Sequence, residues 1–433
     1  MLKAIVQQSE QLIAFISALN IVLYQPQIRH LTQILDALLE CSNKKTLTNL
    51  YRQYFHEPDP KTAADFFRES PWSAEAISKP RKHYMLQKFL EIARRLGLAS
   101  EILVSVDDSL GKKDRATRHL EVVDYHYNHT ESSSKKPTYA NGYVYVEVHI
   151  QIGPLGFLFD TRVYLREKKV RRLNRGRASE ERVHFRSKYA LAREMLVELA
   201  ELLPNGYQTY ILFDSWYASA KLIKFCRRQH WHVICALKGN RRIDKKRIDQ
   251  YDQTFKHKRY QRVTLDAADT TQKARTYQVR AVHGHLEEVA GEVCAIISKR
   301  HPGDQRPKYF VCTDLSLSVQ QVLKYYQKRW PVEVDNFYLK EALGLGDFRL
   351  QSYAAIQKWF AVVVLAMNYL QLQAATLYEQ TLTLYTPADL IRQHRLGHLQ
   401  TLLRKLMAEA IQTGKCDEEL IAAFLPLPDW AVT

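Results

Sequence analysis

Tyr326, Arg329, Glu333 and Lys340 lie in the stretch YYQKRWPVEVDNFYLKEALGLG. Their offsets of three, seven and fourteen residues from Tyr326 bring them within about 60° of one another on an α-helix. One face then carries an aromatic hydroxyl, two cations and a carboxylate, where a core-facing stripe would be apolar. Such a face suits a surface that grips phosphates and holds a metal ion. The plainer alternative is a solvated face with an ordinary Arg329–Glu333 ion pair four residues apart. The helix expected over Ser318 to Ala342 contains Pro331, which loses an N–H and clashes with the preceding turn, so it kinks or restarts there.

Two acids upstream supply the rest of a possible site. ILVSV (102–106) reads as an apolar strand running into Asp107 and Asp108, and QTYILF (208–213) reads as a strand ending at Asp214. Ligands collect at the ends of strands in α/β sheets. Three carboxylates from two strands and a helix would make a hard-oxygen cage for two Mg²⁺ ions, with Mn²⁺ able to substitute. Paired ions of this kind support phosphodiester attack without a covalent enzyme intermediate.

The expected metal ligands and catalytic acids are Asp107, Asp214 and Glu333. Asp108 is the rival for the first position, because adjacent residues on an extended chain point opposite ways. For any single Asp at a strand end, a turn-forming role is the commoner one. Arg329 and Lys340 would clamp phosphates, one by its bidentate fork and the other as a point charge. Tyr326 would hydrogen-bond a phosphate oxygen or position a water, with a core aromatic as the alternative.

The whole chain is compatible with that chemistry. Its 433 residues carry a net charge of +17 with a sequence pI near 9.4, a balance that points to a polyanionic partner, nucleic acid by default. A hydrophobic content of 46% with 11% aromatics is globular, and the length allows two or three domains. The six cysteines, Cys416 among them, form no CxxC pair and none sits with His at zinc-ligand spacing. They read as reduced, mostly buried thiols of a cytoplasmic protein. The N-terminus is a poor signal peptide. The most apolar run, Trp359 to Met367, is too short to cross a bilayer and reads as a buried helix, so no membrane partner is expected. No small-molecule cofactor is expected either.

The elements that must position these residues follow from periodicity. Residues 1–98 read as helical, either a helix-turn-helix-type DNA reader or a plain small bundle. In 99–239 the strands 102–106, 143–152 and 156–165 precede a helix at 188–203, the strand 208–213, a helix at 218–228 and the strand 232–237. This is the order of a ribonuclease-H-like α/β core. Two segments are very basic: REKKVRRLNRGR (166–177), a loop within the core containing Arg171 and Arg172, and the entry to 240–306, containing Arg241, Arg242, Lys245, Lys246, Arg247, Lys256, Lys258 and Arg259. Residues 240–306 read as a β-rich insertion with strands at 260–265, 276–283 and 292–297. The core resumes over 307–349, and 350–433 is helical, available for dimerisation or DNA contact.

At this point the chain resembles a known family. VDDS at 106–109, FDSWY at 213–217 and above all the Y-x2-R-x3-E-x6-K spacing from Tyr326 to Lys340 look like the DDE transposases of bacterial insertion sequences. The Tyr-Arg-Glu-Lys signature is that of insertion-sequence family four, and RESPW (68–72) is similar to a segment of its seven-oh-one-like branch. The resemblance covers about 100–350. It implies an enzyme that binds the terminal inverted repeats of its element as a homodimer on paired ends. Such an enzyme cuts the ends with divalent metal and joins the 3′-hydroxyls to target DNA, with a DNA hairpin as one excision route.

The family's three acids carry over to Asp107, Asp214 and Glu333, and its tyrosine, arginine and lysine to Tyr326, Arg329 and Lys340. Trp330 matches a tryptophan that commonly follows the arginine. Hairpin-forming relatives stack a flipped base on a tryptophan of the β-rich insertion. This chain has none between Trp231 and Trp330, leaving Tyr260, Tyr277, Tyr309 or Trp216 for that role. The competing readings are a structure-specific DNA nuclease of the same fold and a non-catalytic DNA-binding protein derived from a transposase.

Overall fold

The computed structural model describes residues 3–98, 101–129, 131–133, 136–254, 259–266, 274–301 and 303–413. Lys256, Lys258, Cys416 and the rest of 414–433 lie outside them. The chain begins with five helices, α1 (Glu10–Ala18), α2 (Gln25–Glu40), α3 (Leu47–Tyr51), α4 (Pro60–Arg68) and α5 (Ala74–Arg95). Their starts are encoded locally. Ser9, Thr46 and Asp59 accept hydrogen bonds from the first turns of α1, α3 and α4, and Pro60 opens α4 where its missing N–H costs nothing.

The sheet follows: β1 (Glu101–Lys112), β2 (Asp124–Tyr127), β3 (Tyr139–Ile152), β4 (Leu155–Tyr164), then α6 (Glu167–Leu173), α7 (Lys188–Leu202), β5 (Gln208–Phe213), α8 (Ala220–Arg228) and β6 (His232–Leu237). β3 pairs antiparallel with β1 and β4, while β5 and β6 run parallel to β1. The spatial order β4-β3-β1-β5-β6 is a mixed sheet compatible with a ribonuclease-H-like core. Both faces of β3 are buried almost throughout, because helices cover the sheet on both sides.

A short basic hairpin, β7 (Arg242–Ile243) and β8 (Lys246–Arg247), turns through Asp244 and Lys245, both at positive φ (46° and 67°). After α9 (Ile248–Thr254) come β9 (Gln261–Leu265), β10 (Arg275–His285), β11 (Glu292–Lys299) and β12 (Lys308–Cys312). The three strands expected in the insertion are β9, β10 and β11. They do not stack as a separate layer: β12, which the sequence reading missed, pairs with β6 and carries β11, β10 and β9 onward in the same ten-stranded sheet. KYFVC is short and follows a polar loop, so its strand character comes from the two neighbours it pairs with.

The expected basic loop at 166–177 is partly helical. α6 has Glu167 in its first turn and Arg171 and Arg172 in its last, the charge order that suits the helix dipole.

The long helix expected over 318–342 is broken. α10 (Val319–Gln327) ends, α11 restarts at Pro331 and runs to Phe337, and a π-helical turn spans Tyr338–Ala342. α12 (Tyr353–Thr381) and α13 (Pro387–Thr413) finish the described chain. α12 is longer than its most apolar run and is apolar enough by length and composition to cross a membrane. Its most apolar window is nevertheless 72% buried inside the molecule, packed against α2, α4, α5 and β4. It is the central core helix that joins the N-terminal helices to the sheet. Five cysteines, Cys41, Cys226, Cys235, Cys294 and Cys312, are buried free thiols.

Candidate active site

Asp107 lies inside β1, not at its end as expected. β1 continues to Lys112 along β3, with Asp107 opposite Glu147. The strand that stops is β5: its parallel pairing with β1 ends at Val106–Phe213, and Asp214 is the next residue. Asp107 and Asp214 therefore follow neighbouring register positions at the mouth of one strand pair.

Strand alternation separates the two candidate acids of β1. Asp108 turns towards α7, where Lys188 Nζ bonds its Oδ2 at 2.6 Å and the Tyr217 hydroxyl donates to its Oδ1 at 3.0 Å. Asp107 turns towards α11. There Arg329 Nη1 donates to Asp107 Oδ2 at 2.6 Å, while Nη2 of the same guanidinium holds Glu333 Oε1. One planar fork thus spans carboxylates contributed by β1 and α11.

Asp214 Oδ1 accepts the backbone N–H groups of Trp216 and Tyr217 at 2.9 and 3.2 Å, an Asx-type turn that fixes the carboxylate. The turn reading and the ligand reading of Asp214 are compatible, since the turn sets the orientation. Burial pushes the Asp107 carboxyl up to about 6; Arg329 and the Asp108 N–H oppose this, while the charges of Asp214 and Asp108 add to it. Burial opposes the charge on Arg329, but Asp107, Tyr326 and Glu333 outweigh it and hold the guanidinium above its ordinary range.

The four residues of the expected stripe occupy three pieces of chain. Tyr326 is on α10, Arg329 in the break, Glu333 in the first turn of α11, and Lys340 in the π-helical turn. Tyr326 packs edge-on against Phe310 at 4.8 Å, and burial pushes its hydroxyl up to about 12. Lys340 is turned inward: Nζ donates to Ser109 Oγ at 2.6 Å and to the Leu110 carbonyl at 2.9 Å, and burial lowers its pKa. It braces the site against β1.

Trp330 is 61% exposed beside Arg329. Trp216 is stacked on Tyr189 (centroids 4.6 Å apart, planes at 5°) with Lys188 Nζ 5.0 Å from its ring centroid. Tyr260 lies under Arg280, and Tyr277 and Tyr309 are half-buried. Among the basic residues, Arg171, Arg172, Arg242 and Lys245 are exposed, Arg241 and Lys246 half-buried. Arg171 pairs with Glu167 at 2.6 Å, and Lys246 bonds Thr254.

Sequence reasoning missed Glu147. It is fully buried beneath Asp107, held by Asn336 of α11 on one oxygen and without a partner on the other. Burial, with the charges of Asp335 and Asp107, pushes its carboxyl well above the usual range. Its signal in YVYVEVHIQI was a lone acid in an apolar strand, and alternation could not place it because both faces of β3 are covered. Asn336 also takes the Tyr145 hydroxyl, and neighbouring Asp335 accepts from His149 (2.6 Å) and Gln371 (2.9 Å). These polar anchors fix α11, and hence Glu333, over β1 and β3.

Residues 181–369 match the family model of the transposase DDE domain. The match includes Asp214 and the whole Tyr326–Lys340 stretch and begins after Asp107. It supports a DDE transposase, an enzyme class that acts on DNA and generally uses divalent metal ions. No curated protein matches the chain.

Proposed function

We propose that the protein is a DNA transposase of an insertion sequence, of the Tyr-Arg-Glu-Lys group, with Asp107, Asp214 and Glu333 as its metal-binding acids. One observation carries the reading: Arg329 bridges Asp107 and Glu333, residues far apart in sequence, at the strand mouth where Asp214 sits. Two carboxylates held by one half-buried guanidinium are a charge environment that a divalent ion can take over. The donor set is all hard oxygen, which fits Mg²⁺ or Mn²⁺.

Bound there, two such ions supply activation of the attacking oxygen and stabilisation of the leaving one. The chain's own residues do the rest. Asp214 is held in orientation by its turn, and Asp107 by the Asp108 N–H at 2.9 Å. Glu333 is carried on α11, whose anchors to Tyr145 and Glu147 set its height above the sheet. Arg329, released from its two acids, offers its fork to a non-bridging phosphate oxygen. In the cut, water forms the new P–O bond and the 3′-oxygen leaves as a hydroxyl. In joining, that hydroxyl attacks a target phosphate and displaces another 3′-oxygen.

Exposed Trp330 is the aromatic best placed to stack a base near the cut, the step a hairpin route needs. Arg242 and Lys245 on the β7–β8 hairpin, together with Arg172 on α6, present charge for the DNA backbone. Work on two ends at once implies a homodimer.

The test is cleavage and joining of DNA carrying the element's terminal repeats. Nicking that requires Mg²⁺ or Mn²⁺, is lost in Glu333→Gln and is followed by strand transfer supports the proposal. Cutting without joining in the presence of free target DNA would favour a nuclease. Binding with no metal-dependent nicking would favour a lapsed, non-catalytic DNA-binding protein.

A further inference from the structure

We infer that α2 and α13 together form a second cation site, for a structural Zn²⁺, remote in sequence from the acids of the strand mouth. Among the described residues, the only trio of His, Cys, Asp or Glu whose ligand atoms all come within 4.8 Å of one another is Asp36, His394 and His398. His394 and His398 are four apart on α13, so both rings leave the same face of the helix. Their Nε2 atoms lie 3.2 Å apart and approach Asp36 Oδ1 at 2.8 and 2.7 Å. Ligand bonds of about 2.0–2.1 Å to a tetrahedral zinc place neighbouring ligand atoms about 3.3 Å apart. The nitrogen pair already has nearly that spacing, and the carboxylate needs to withdraw by about half an ångström.

The side chains are 0%, 6% and 5% exposed for Asp36, His394 and His398, so water competes poorly for the position. The second oxygen of Asp36 accepts the Ser9 N–H at 3.1 Å, which fixes the carboxylate and leaves Oδ1 as a one-atom ligand, the arrangement expected around a metal. The nearest further carboxylate lies outside that 4.8 Å set and would have to swing in as the fourth donor. Glu40, one turn along α2 from Asp36, has a buried Oε2 with no hydrogen-bond partner. With Glu40 drawn in, two neutral imidazoles and two carboxylates would balance a divalent charge, which favours a closed structural site over an open one. A cleft lined by Gln8, Tyr369, Gln373, Gln393 and His398 reaches the cluster from solvent.

The site would pin α13 to the N-terminal helices. Arg395 Nε and Nη2 make a parallel tie to the Leu39 and Cys41 carbonyls at 3.1 and 3.0 Å. The inference does not rest on the transposase reading, and either can fail alone.

The experiment uses full-length Glu333→Gln protein, in which the acidic centre is disabled, stripped with chelator and titrated with Co²⁺ in excess Mg²⁺. The expected result is one Co²⁺ per chain with the intense visible bands of four-coordination, displaced by Zn²⁺, and an affinity at least about tenfold lower after His398→Asn. A rise in Tm with Zn²⁺ in the parent but not in the variant is expected alongside. Absence of stoichiometric Co²⁺ binding in the parent, six-coordinate spectra, or binding unchanged by a folded His398→Asn variant overturns the proposal. The parent titration decides the matter even where the variant fails to fold.

Discussion

The strand mouth and the α2–α13 cluster treat a cation in opposite ways. At the strand mouth a guanidinium stands between Asp107 and Glu333, and the acids do not close to the mutual distance that the Asp36 trio reaches. At α2–α13 three ligand atoms already converge, and helix packing on both sides holds them. The difference teaches how charge is stored. A site that must admit a cation and a phosphodiester together keeps its acids apart and neutralised by an arginine side chain. A site that only ties helices together can be assembled in advance.

The largest effect separates the two regions by activity. Glu333→Gln is expected to cut cleavage of end DNA by roughly a thousandfold or more while leaving DNA binding near the parent level. His398→Asn, assayed at low temperature, is expected to leave cleavage within about twofold. Equal loss in both, read in one cleavage assay, would erase the distinction between a reacting centre and a structural one.

Next comes Arg329→Ala. It leaves two partly buried carboxylates facing each other, and we expect a loss of roughly 2 kcal/mol in the metal-free protein, less than for a fully buried pair because Glu333 is 35% exposed. Mg²⁺ should recover part of that loss and should raise the Tm of the variant more than that of the parent. Thermal melts with and without Mg²⁺ decide this. An equal shift in both proteins means Arg329 is not a stand-in for the cation.

A pH effect of similar or smaller size follows at Asp107. Its folded pKa of about 6 lies above the ordinary value of 3.8, so between those values the native state binds the extra proton. Its ionisation therefore costs stability as pH rises through that window, and the cost is constant above it. Asp107→Asn should be more stable than the parent at pH 7.5, by up to roughly 2 kcal/mol, with the gap closing near pH 4. Denaturant melts at the two pH values check this, and a gap that widens on acidification contradicts it.

Trp330→Ala should have the smallest effect on folding, within about 0.5 kcal/mol, because the ring is exposed. It should still weaken binding of end DNA by about tenfold if the ring stacks on a base. A binding titration at fixed salt separates the two effects.

Much of the fold was legible because element type is a local property. Alternation in YVYVEVHIQI and QTYILF, and the amphipathic run of α7, each report their own burial, and the restart at Pro331 follows from one missing N–H. Legibility failed where partners decide. β12 exists because β6 and β11 flank it, and the rest of β1 is held by β3, so Asp107 sits inside a strand that looked finished. Lys340, expected at phosphate, is turned to Ser109 by the π-helical turn that no periodicity announced.

The sequence by itself determined the chemical inventory: three separated acids, an arginine four residues before one of them, and a strongly basic chain. Tertiary structure alone decided that Asp107 faces Glu333 while Asp108 faces Lys188, and that Asp36 waits for His394 and His398 from the other end of the chain. The physical reason is range. Backbone periodicity is set by neighbours within a few residues, whereas which charges meet depends on how distant apolar faces are buried against one another.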